Sequence, residues 1–382
     1  MIASRLAGFG TTIFTEMSAL AERTGAINLG QGFPEEDGPP ELLEAAAAAL
    51  RSGHNQYAPL PGVPALREAI AAHQERFYGL VVDPDAGVQV TFGATEAIAA
   101  ALLGLLEPGD EVVVFEPLYD SYAAGIAMAG GARRVVTLRP PDWSFDADEL
   151  RAAVTPRTRL LLLNSPHNPT GKVFTRAELA AVADVVREHD LIALTDEVYE
   201  HLVYDGAHVP LASLDGMAAR TLSVSSLGKT FSATGWKVGW ATGPAELVAA
   251  VRASKQFLSF AGGTPLQVAG ATALGLGDAF YARLIAAFAA KRDRLCEGLR
   301  AAGLSPLPAA GTYFVNARVP GDAVEFCRSL VARAGVVAIP TSVFYDDPEA
   351  GRSLVRFAFC KRDEVIDEAA ARLAATGRTS GE

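Results

Sequence analysis

The sequence predicts an α/β protein in which a mostly parallel sheet covered by helices is followed by a smaller α/β domain. Two observations carry this. Short apolar runs (EVVVFEP, RRVVTL, RLLLLNSP and LIALTDEVY) alternate with helical segments, and unbroken apolarity is what a strand buried on both faces shows. From about Asp278 the chain changes character: a long charged helix over 278–302 leads into GTYFVNARV, a helix near 322–334, VVAIP, and LVRFAFC before a final helix. The expected division is an N-terminal segment (1–38) joining the small domain, a large domain (39–277) and the small domain (278–382).

Composition narrows the function classes. The chain has 382 residues, half of them hydrophobic, which is ample for a large core. Its formal charge of −11, with no basic run, argues against nucleic acid and acidic membrane surfaces as partners. No apolar stretch approaches the ~18 residues of a membrane span, and the first residues lack a signal-like apolar core. Three widely spaced cysteines (Cys296, Cys327, Cys360) form neither a CxxC motif nor a disulfide framework and suit a reducing compartment. The expectation is a soluble cytoplasmic protein, and six histidines without HExxH or similar spacing predict no metal site.

Taken in order, residues 15–23 suggest a short helix, after which INLGQGFPEEDGPP is punctuated by glycine and proline. Gly32 lets backbone approach a ligand closely, although such punctuation is more often only a turn. Residues 39–50 read as a helix entered through proline, and NQYAPLPGVP follows as an irregular loop in which Tyr57 has no periodic partner. Residues 88–92 alternate and are β-branched, then GATEA turns straight into an apolar-faced helix. Strand, tight turn and helix N-terminus make a phosphate cradle of the backbone at Ala94 and Thr95. Thr175 and Glu178 form a capping box for the longest crossover helix.

Polar residues gather where the parallel strands end, which is where an α/β sheet carries function. Tyr119 follows one strand, Asn168 the next, and Asp196 with Tyr199 a third. Singly, Tyr119 reads equally as core, Asn168 as a turn before proline and Asp196 as a helix cap. Their occurrence in one sheet is harder to dismiss beside TLSVSSLGKTFSATGWKVGWAT, in which Lys229 sits between strand-like runs over 221–224 and 238–242. A lysine held out of water loses proton affinity and becomes a nucleophile for Schiff-base chemistry with an aldehyde. Ser226 and Lys237 flank it, and hydroxyl with ammonium suits a phosphate monoester. GKT also ends a Walker A motif, but Ser223 stands where that motif needs glycine, and small residues interrupt the chain after Lys229. In the last strand Arg356 lies among Leu354, Val355, Phe357 and Phe359 and needs an anion, either a bound ligand or a structural ion-pair partner.

From about Asn28 to the C-terminal helix, INLGQGFP, NQY, GATEA, EPLYDSY, NSPHNPTGKV, TDEVYEHLVYDG, SSLGKTFSATGWKVGW, VAIP and LVRFAFCK together resemble the class I aminotransferases of fold type I. The likeness is nearest to the kynurenine, glutamine and methionine group and to bacterial N-succinyldiaminopimelate aminotransferases. The resemblance implies a seven-stranded, mostly parallel sheet, pyridoxal 5′-phosphate (pyridoxamine 5′-phosphate in the half-reaction), and a homodimer with shared active sites. It implies Lys229 as the Schiff-base lysine, Asp196 at the pyridine nitrogen, Tyr199 and Asn168 at the phenolic oxygen, and Tyr119 stacked on the ring. Ala94, Thr95, Ser226, Lys237 and Tyr57 of the other subunit would hold the phosphate. Arg356 would hold the substrate α-carboxylate, helped by the Gly32 backbone and Asn168, with Phe14, Phe260 and Tyr313 as pocket walls.

That assignment implies ping-pong transfer of an amino group from an L-amino acid to a 2-oxo acid, with small-molecule substrates only. A carbon–sulfur β-lyase on the same scaffold would use the same residues, since they serve any Cα carbanion. A ligand-binding regulator would need an appended DNA-binding domain, and no basic recognition helix is present.

Overall fold

The computed structural model describes residues 2–10 and 13–378. Strand β1 (Ile27–Asn28) follows the helix Ile13–Thr24, one turn's fraction longer at each end than the expected 15–23. The large sheet then forms from β2 (Val88–Phe92), β3 (Glu111–Glu116), β4 (Ala132–Thr137), β5 (Thr158–Asn164), β6 (Ile192–Asp196), β7 (Thr221–Ser226) and β8 (Val238–Thr242). Their order across the sheet is β2-β8-β7-β6-β5-β3-β4, and β8 alone runs against its neighbours. A parallel return from β7 would need a crossover of a dozen residues or more, whereas only a one-turn helix (Leu227–Thr230) and a 3-10 turn (Thr234–Trp236) intervene.

The continuous apolar runs are explained by burial on both faces. Val113, Phe115, Leu161 and Leu163 pack into the core on one side, and Val112, Val114, Leu160 and Leu162 into the core on the other. Each such leucine contributes roughly 2 kcal/mol relative to exposure. The edge strand β4 is largely exposed and carries Arg133 and Arg134, which discourages pairing with another sheet. Helix Arg176–Glu188 opens with the reciprocal Thr175/Glu178 capping box that the sequence suggests. Helix Pro40–Arg51 is entered through Pro39.

The remaining strands are β9 (Ser305–Pro306), β10 (Phe314–Arg318), β11 (Val336–Val337), β12 (Ile339–Pro340) and β13 (Leu354–Ala358). An antiparallel sheet β12-β13-β10-β9 packs against helices Asp278–Ala301 and Ala323–Ala334, helix Asp363–Arg378 lies on Asp278–Ala301, and β1 pairs in parallel with β11. The N-terminal strand therefore crosses to the C-terminal part of the chain. Tyr199, Val198 and Leu202 from the large sheet's edge share a core cluster with Tyr313, Phe314 and Phe357. That cluster holds β13 against the ends of β5 and β6.

Candidate active site

The parallel strands β2, β3, β5, β6 and β7 all end at one edge of the sheet, and antiparallel β8 contributes its beginning there: Phe92 pairs with Val238, and Ser226 with Gly239. A cavity of about 440 Å³ opens at this edge. It gathers Phe14 and Gly32 from the N-terminal segment, Ala94 and Thr95 after β2, Tyr119 after β3, and Asn168 after β5. Asp196 and Tyr199 come from the end of β6, Ser226 and Lys229 from β7, Lys237 from the start of β8, and Arg356 from β13.

Asp196 is buried, and burial pushes its carboxyl upward in pKa against the opposing pull of hydrogen bonds and Lys229. The Tyr122 hydroxyl donates to its Oδ2 at 2.6 Å and the Val198 N–H to its Oδ1 at 3.3 Å. Lys229 is pushed down, chiefly by burial, and donates to the Tyr313 hydroxyl at 3.0 Å. Burial likewise raises Tyr199, and raises Tyr119 to about 12, so neither phenol ionises near neutrality.

At the other end of the cavity Lys237 takes a left-handed backbone (φ 53) and brings its Nζ to 3.2 Å from where a Cβ on Gly93 would lie. Gly93 itself has φ 71 and opens the 13-residue helix Gly93–Leu105. Free N–H groups of a helix start, an ammonium and the Ser226 hydroxyl thus surround a space that a side chain at 93 would fill.

Arg356 is 2% exposed. Its Nη1 donates to Asn168 Oδ1 at 3.0 Å and its Nη2 to the Gly30 carbonyl at 2.8 Å, while the buried Nε has no partner. The guanidinium lies 4.1 Å from the Phe314 ring centroid and about 5 Å from those of Phe14 and Phe344. Among the described residues no carboxylate forms an ion pair with it, so the structural ion-pair explanation fails. Burial lowers its pKa to about 10, which leaves it a cation at neutral pH.

The chain that carries these features has clear relatives. A profile of the family "Aminotransferase class I and II" matches residues 24–373. The chain belongs to that family. The enzyme is 55% identical to the probable N-succinyldiaminopimelate aminotransferase DapC of Mycobacterium tuberculosis, over 98% of each chain. It is 44% identical to the methionine aminotransferase of Escherichia coli, over 97% of each. The solved structure of the N-succinyldiaminopimelate aminotransferase from Mycobacterium tuberculosis superposes with a TM-score of 0.96 at 54% identity, covering 98% of this chain and 100% of that one. It is a pyridoxal-phosphate-dependent aminotransferase of fold type I acting on small amino and 2-oxo acids. These relatives support amino transfer rather than the carbon–sulfur lyase alternative.

Tyr57, expected to serve the other subunit's site, and Phe260, expected as a pocket wall, both lie outside this chain's own cavity. Tyr57 is not at the cavity: it is 83% exposed, with its ring 5.5 Å from that of Phe260, beside a shallow depression lined by Asn55, Gln56 and residues 261–265. Phe260 is not a wall of the same chain's cavity either, because its left-handed backbone (φ 60) after helix Ala245–Leu258 turns the ring outward to Tyr57. Tyr313 lies behind the wall, fully buried, with its ring against Tyr199 and its hydroxyl accepting from Lys229.

Other side chains were missed. Tyr122 sits one helical turn beyond Tyr119, the i+3 spacing that would have flagged it. Asn164 accepts from the Asn168 N–H at 2.7 Å and donates to the Asp196 carbonyl at 2.8 Å, tying the ends of β5 and β6 together. His73, Glu200 and His201 bring metal-ligand atoms within 4.8 Å of one another, which no local spacing reveals. The two Nε2 atoms are 2.7 Å apart, and Glu200 accepts from Tyr78 and Ser225, while the buried His73 Nδ1 has no partner.

Proposed function

We propose that Lys229, Asp196, Tyr199, Asn168 and Arg356 carry amino transfer from an L-amino acid to a 2-oxo acid in two half-reactions, within a cytoplasmic homodimer. The observation that carries this reading is a lysine of lowered proton affinity sharing one cavity with a buried carboxylate and a buried guanidinium that pairs with no carboxylate among the described residues. Pyridoxal phosphate fits the donor set: the Lys237 ammonium that Gly93 admits to the helix start suits its phosphate, and Asp196 suits a protonated ring nitrogen. Ala94 and Thr95 N–H groups, Ser226 and Lys237 would hold the phosphate, Tyr119 would stack on the ring, and Tyr199 and Asn168 would hold the phenolic oxygen.

When bound, the cofactor supplies an electron sink for the pair left behind as the Cα proton departs. Asp196 would favour positive charge at the ring nitrogen, and Tyr122 and the Val198 N–H keep that carboxyl oriented. Lys229, with its amine less tightly protonated than an exposed lysine's, would be the base that accepts the Cα proton and the acid that gives it back. Arg356 and the Gly32 backbone hold the α-carboxylate, which sets the Cα–H bond for transfer.

Tyr57 and Phe260 stand out from the surface, and Phe257 and Leu258 beside them are 85% and 51% exposed. An apolar projection of this kind supports a second copy covering it, with Tyr57 reaching the neighbour's phosphate site. Three free, buried cysteines support a reducing compartment. We place the boundary between the large and small domains near 278, with residues 1–38 joining the small domain through the β1–β11 pairing.

The donor side chain meets Phe14 and Phe33, and Lys229, Lys237 and Arg356 are the cations among the described lining residues. With all three assigned, the described lining residues offer no further cation for a second carboxylate, which favours an uncharged side chain such as that of methionine or an aromatic amino acid. The 55% identity to a probable N-succinyldiaminopimelate aminotransferase supports a second reading, in which the partner subunit supplies that cation. A donor panel with 2-oxoglutarate and pyruvate as acceptors decides between them. Lys229→Ala should lose both the cofactor's visible absorbance and turnover, and full activity in that variant refutes the assignment.

A further inference from the structure

We propose that Tyr313 is a positioning residue for the Lys229 amine, and that its hydroxyl, by donating to the Gly32 carbonyl, directs the amine's lone pair into the cavity. The proposal rests on the reading of Lys229 as the proton carrier and adds the group that aims it.

Tyr313 precedes β10 and is 0% exposed. Its ring stands edge-on to Tyr199 (centroids 5.1 Å apart, 89°) and against Phe314 at 4.8 Å, so the hydroxyl has a single position. That hydroxyl donates to the Gly32 carbonyl and accepts from Lys229 Nζ at 3.0 Å, and a further hydrogen bond links it to the Tyr199 hydroxyl, which can supply its own proton. A phenol has one proton, and a carbonyl can only accept. The proton is therefore committed to Gly32, and the side of the hydroxyl facing Lys229 can only accept. A neutral lysine amine in this place must spend an N–H on Tyr313, and its lone pair then points away from the phenol. If the phenol were free to donate, it would cover that lone pair and compete with the Cα proton for it. Burial also pushes the Tyr313 pKa well up, so the phenol does not itself take up the proton.

The geometry depends on Gly32. A Cβ at that residue would collide with Phe314 and Tyr313, so a side chain there would drive the carbonyl off the hydroxyl. Two residues earlier the Gly30 carbonyl accepts from Arg356 Nη2 at 2.8 Å. One short stretch of backbone is thus held at one end by the carboxylate-binding guanidinium and at the other by the phenol that aims the lysine.

The test uses Tyr313→Phe, which removes the hydroxyl and keeps the buried ring. In cofactor-free protein, the pH dependence of Lys229 acetylation, followed by peptide mass, reports the amine's pKa. Loss of an acceptor that favours the protonated form should lower it by roughly 0.4 to 1 unit, the equivalent of one neutral hydrogen bond. In the holoenzyme, cofactor occupancy read from visible absorbance should match the parent. Single-turnover rates with donor should fall about 10- to 100-fold, and the isotope effect with α-deuterated donor should grow as proton transfer becomes limiting. An unchanged amine pKa together with an unchanged rate and isotope effect overturns the proposal, since a ring that only fills the core would move none of them. Lost cofactor occupancy with an unchanged amine pKa overturns it as well, because the hydroxyl would then serve the cofactor. Both outcomes are distinct from failure of the parent reading, which would show as turnover surviving Lys229→Ala.

Discussion

Replacing Arg356 by lysine keeps a positive charge and removes the fork, which makes it the sharpest probe of the site. The guanidinium is buried, its two bonded nitrogens reach only uncharged acceptors, and Nε reaches none. The fall of its pKa from 12.5 to about 10 corresponds to roughly 3 kcal/mol of penalty for keeping the charge there, at about 1.36 kcal/mol per unit. A substrate carboxylate would relieve that penalty through charge-assisted bonds with a planar partner. Lysine is a shorter point charge that cannot make two parallel bonds and deprotonates more readily in a dry site. Losing about 2 to 4 kcal/mol of transition-state binding lowers kcat/KM by roughly thirty- to a thousandfold. The loss should appear for the amino acid and the 2-oxo acid alike, since both carry the carboxylate. Because no carboxylate among the described residues pairs with Arg356, the melting temperature of Arg356→Lys should not fall in proportion. Single-turnover rates in each direction, set beside a melting curve, read both quantities. An unchanged kcat/KM with a lowered melting temperature would refute the reasoning and return Arg356 to a structural role.

Two further outcomes follow from the geometry. If Tyr57 completes a neighbour's phosphate site, Tyr57→Phe should weaken cofactor binding about 10- to 100-fold, the loss of one hydrogen bond to a charged acceptor, and dilution to monomers should release cofactor. Equilibrium dialysis measures the first, and a fully active monomer in sedimentation would exclude the shared site. His167 is 1% exposed, and burial lowers its pKa from 6.5 to about 3, so between those values the unfolded chain binds a proton that the folded chain does not. Stability is then complete above about pH 6.5 and is lost as pH falls, by roughly 2.5 to 3 kcal/mol at pH 4.5 from this residue alone. Burial moves His73 and His201 in the same direction. A urea midpoint that stays flat from pH 6.5 to 4.5 would contradict this.

The features legible in the sequence are those fixed by local rules. Runs such as VVVF and LLLL must be strands buried on both faces, and the polar residues at their ends must then share one edge of the sheet, so Asn168, Asp196, Tyr199 and Lys229 could be grouped before any coordinates. The direction of β8 was also within reach, because the segment after Lys229 is too short for a crossover helix. What escaped depends on chain crossings that no local pattern encodes. His73 and His201 are 128 residues apart, and Tyr313 and Gly32 are 281 apart. Tyr57 and Phe260 were placed at the site by resemblance to a dimer, and within one chain the structure turns both outward.

The electrostatics of the cavity show why these residue types come as a set. Lys229 is held toward its neutral form and Asp196 is pushed toward protonation, both mainly by burial, while Arg356 stays charged with no carboxylate paired to it among the described residues. Each condition is unfavourable for the protein alone, and each is relieved by a different charge: a cation beside Asp196, an anion on Arg356, and a proton for Lys229. A neutral apolar ligand would satisfy none of the three. A protonated pyridine ring beside Asp196, a carboxylate on Arg356 and a Cα proton within reach of Lys229 satisfy all of them at once. The third is satisfied only as the proton leaves Cα. Binding energy from the first two is therefore available in the ground state, whereas the gain at Lys229 arises along the reaction itself, and that difference is what accelerates the step.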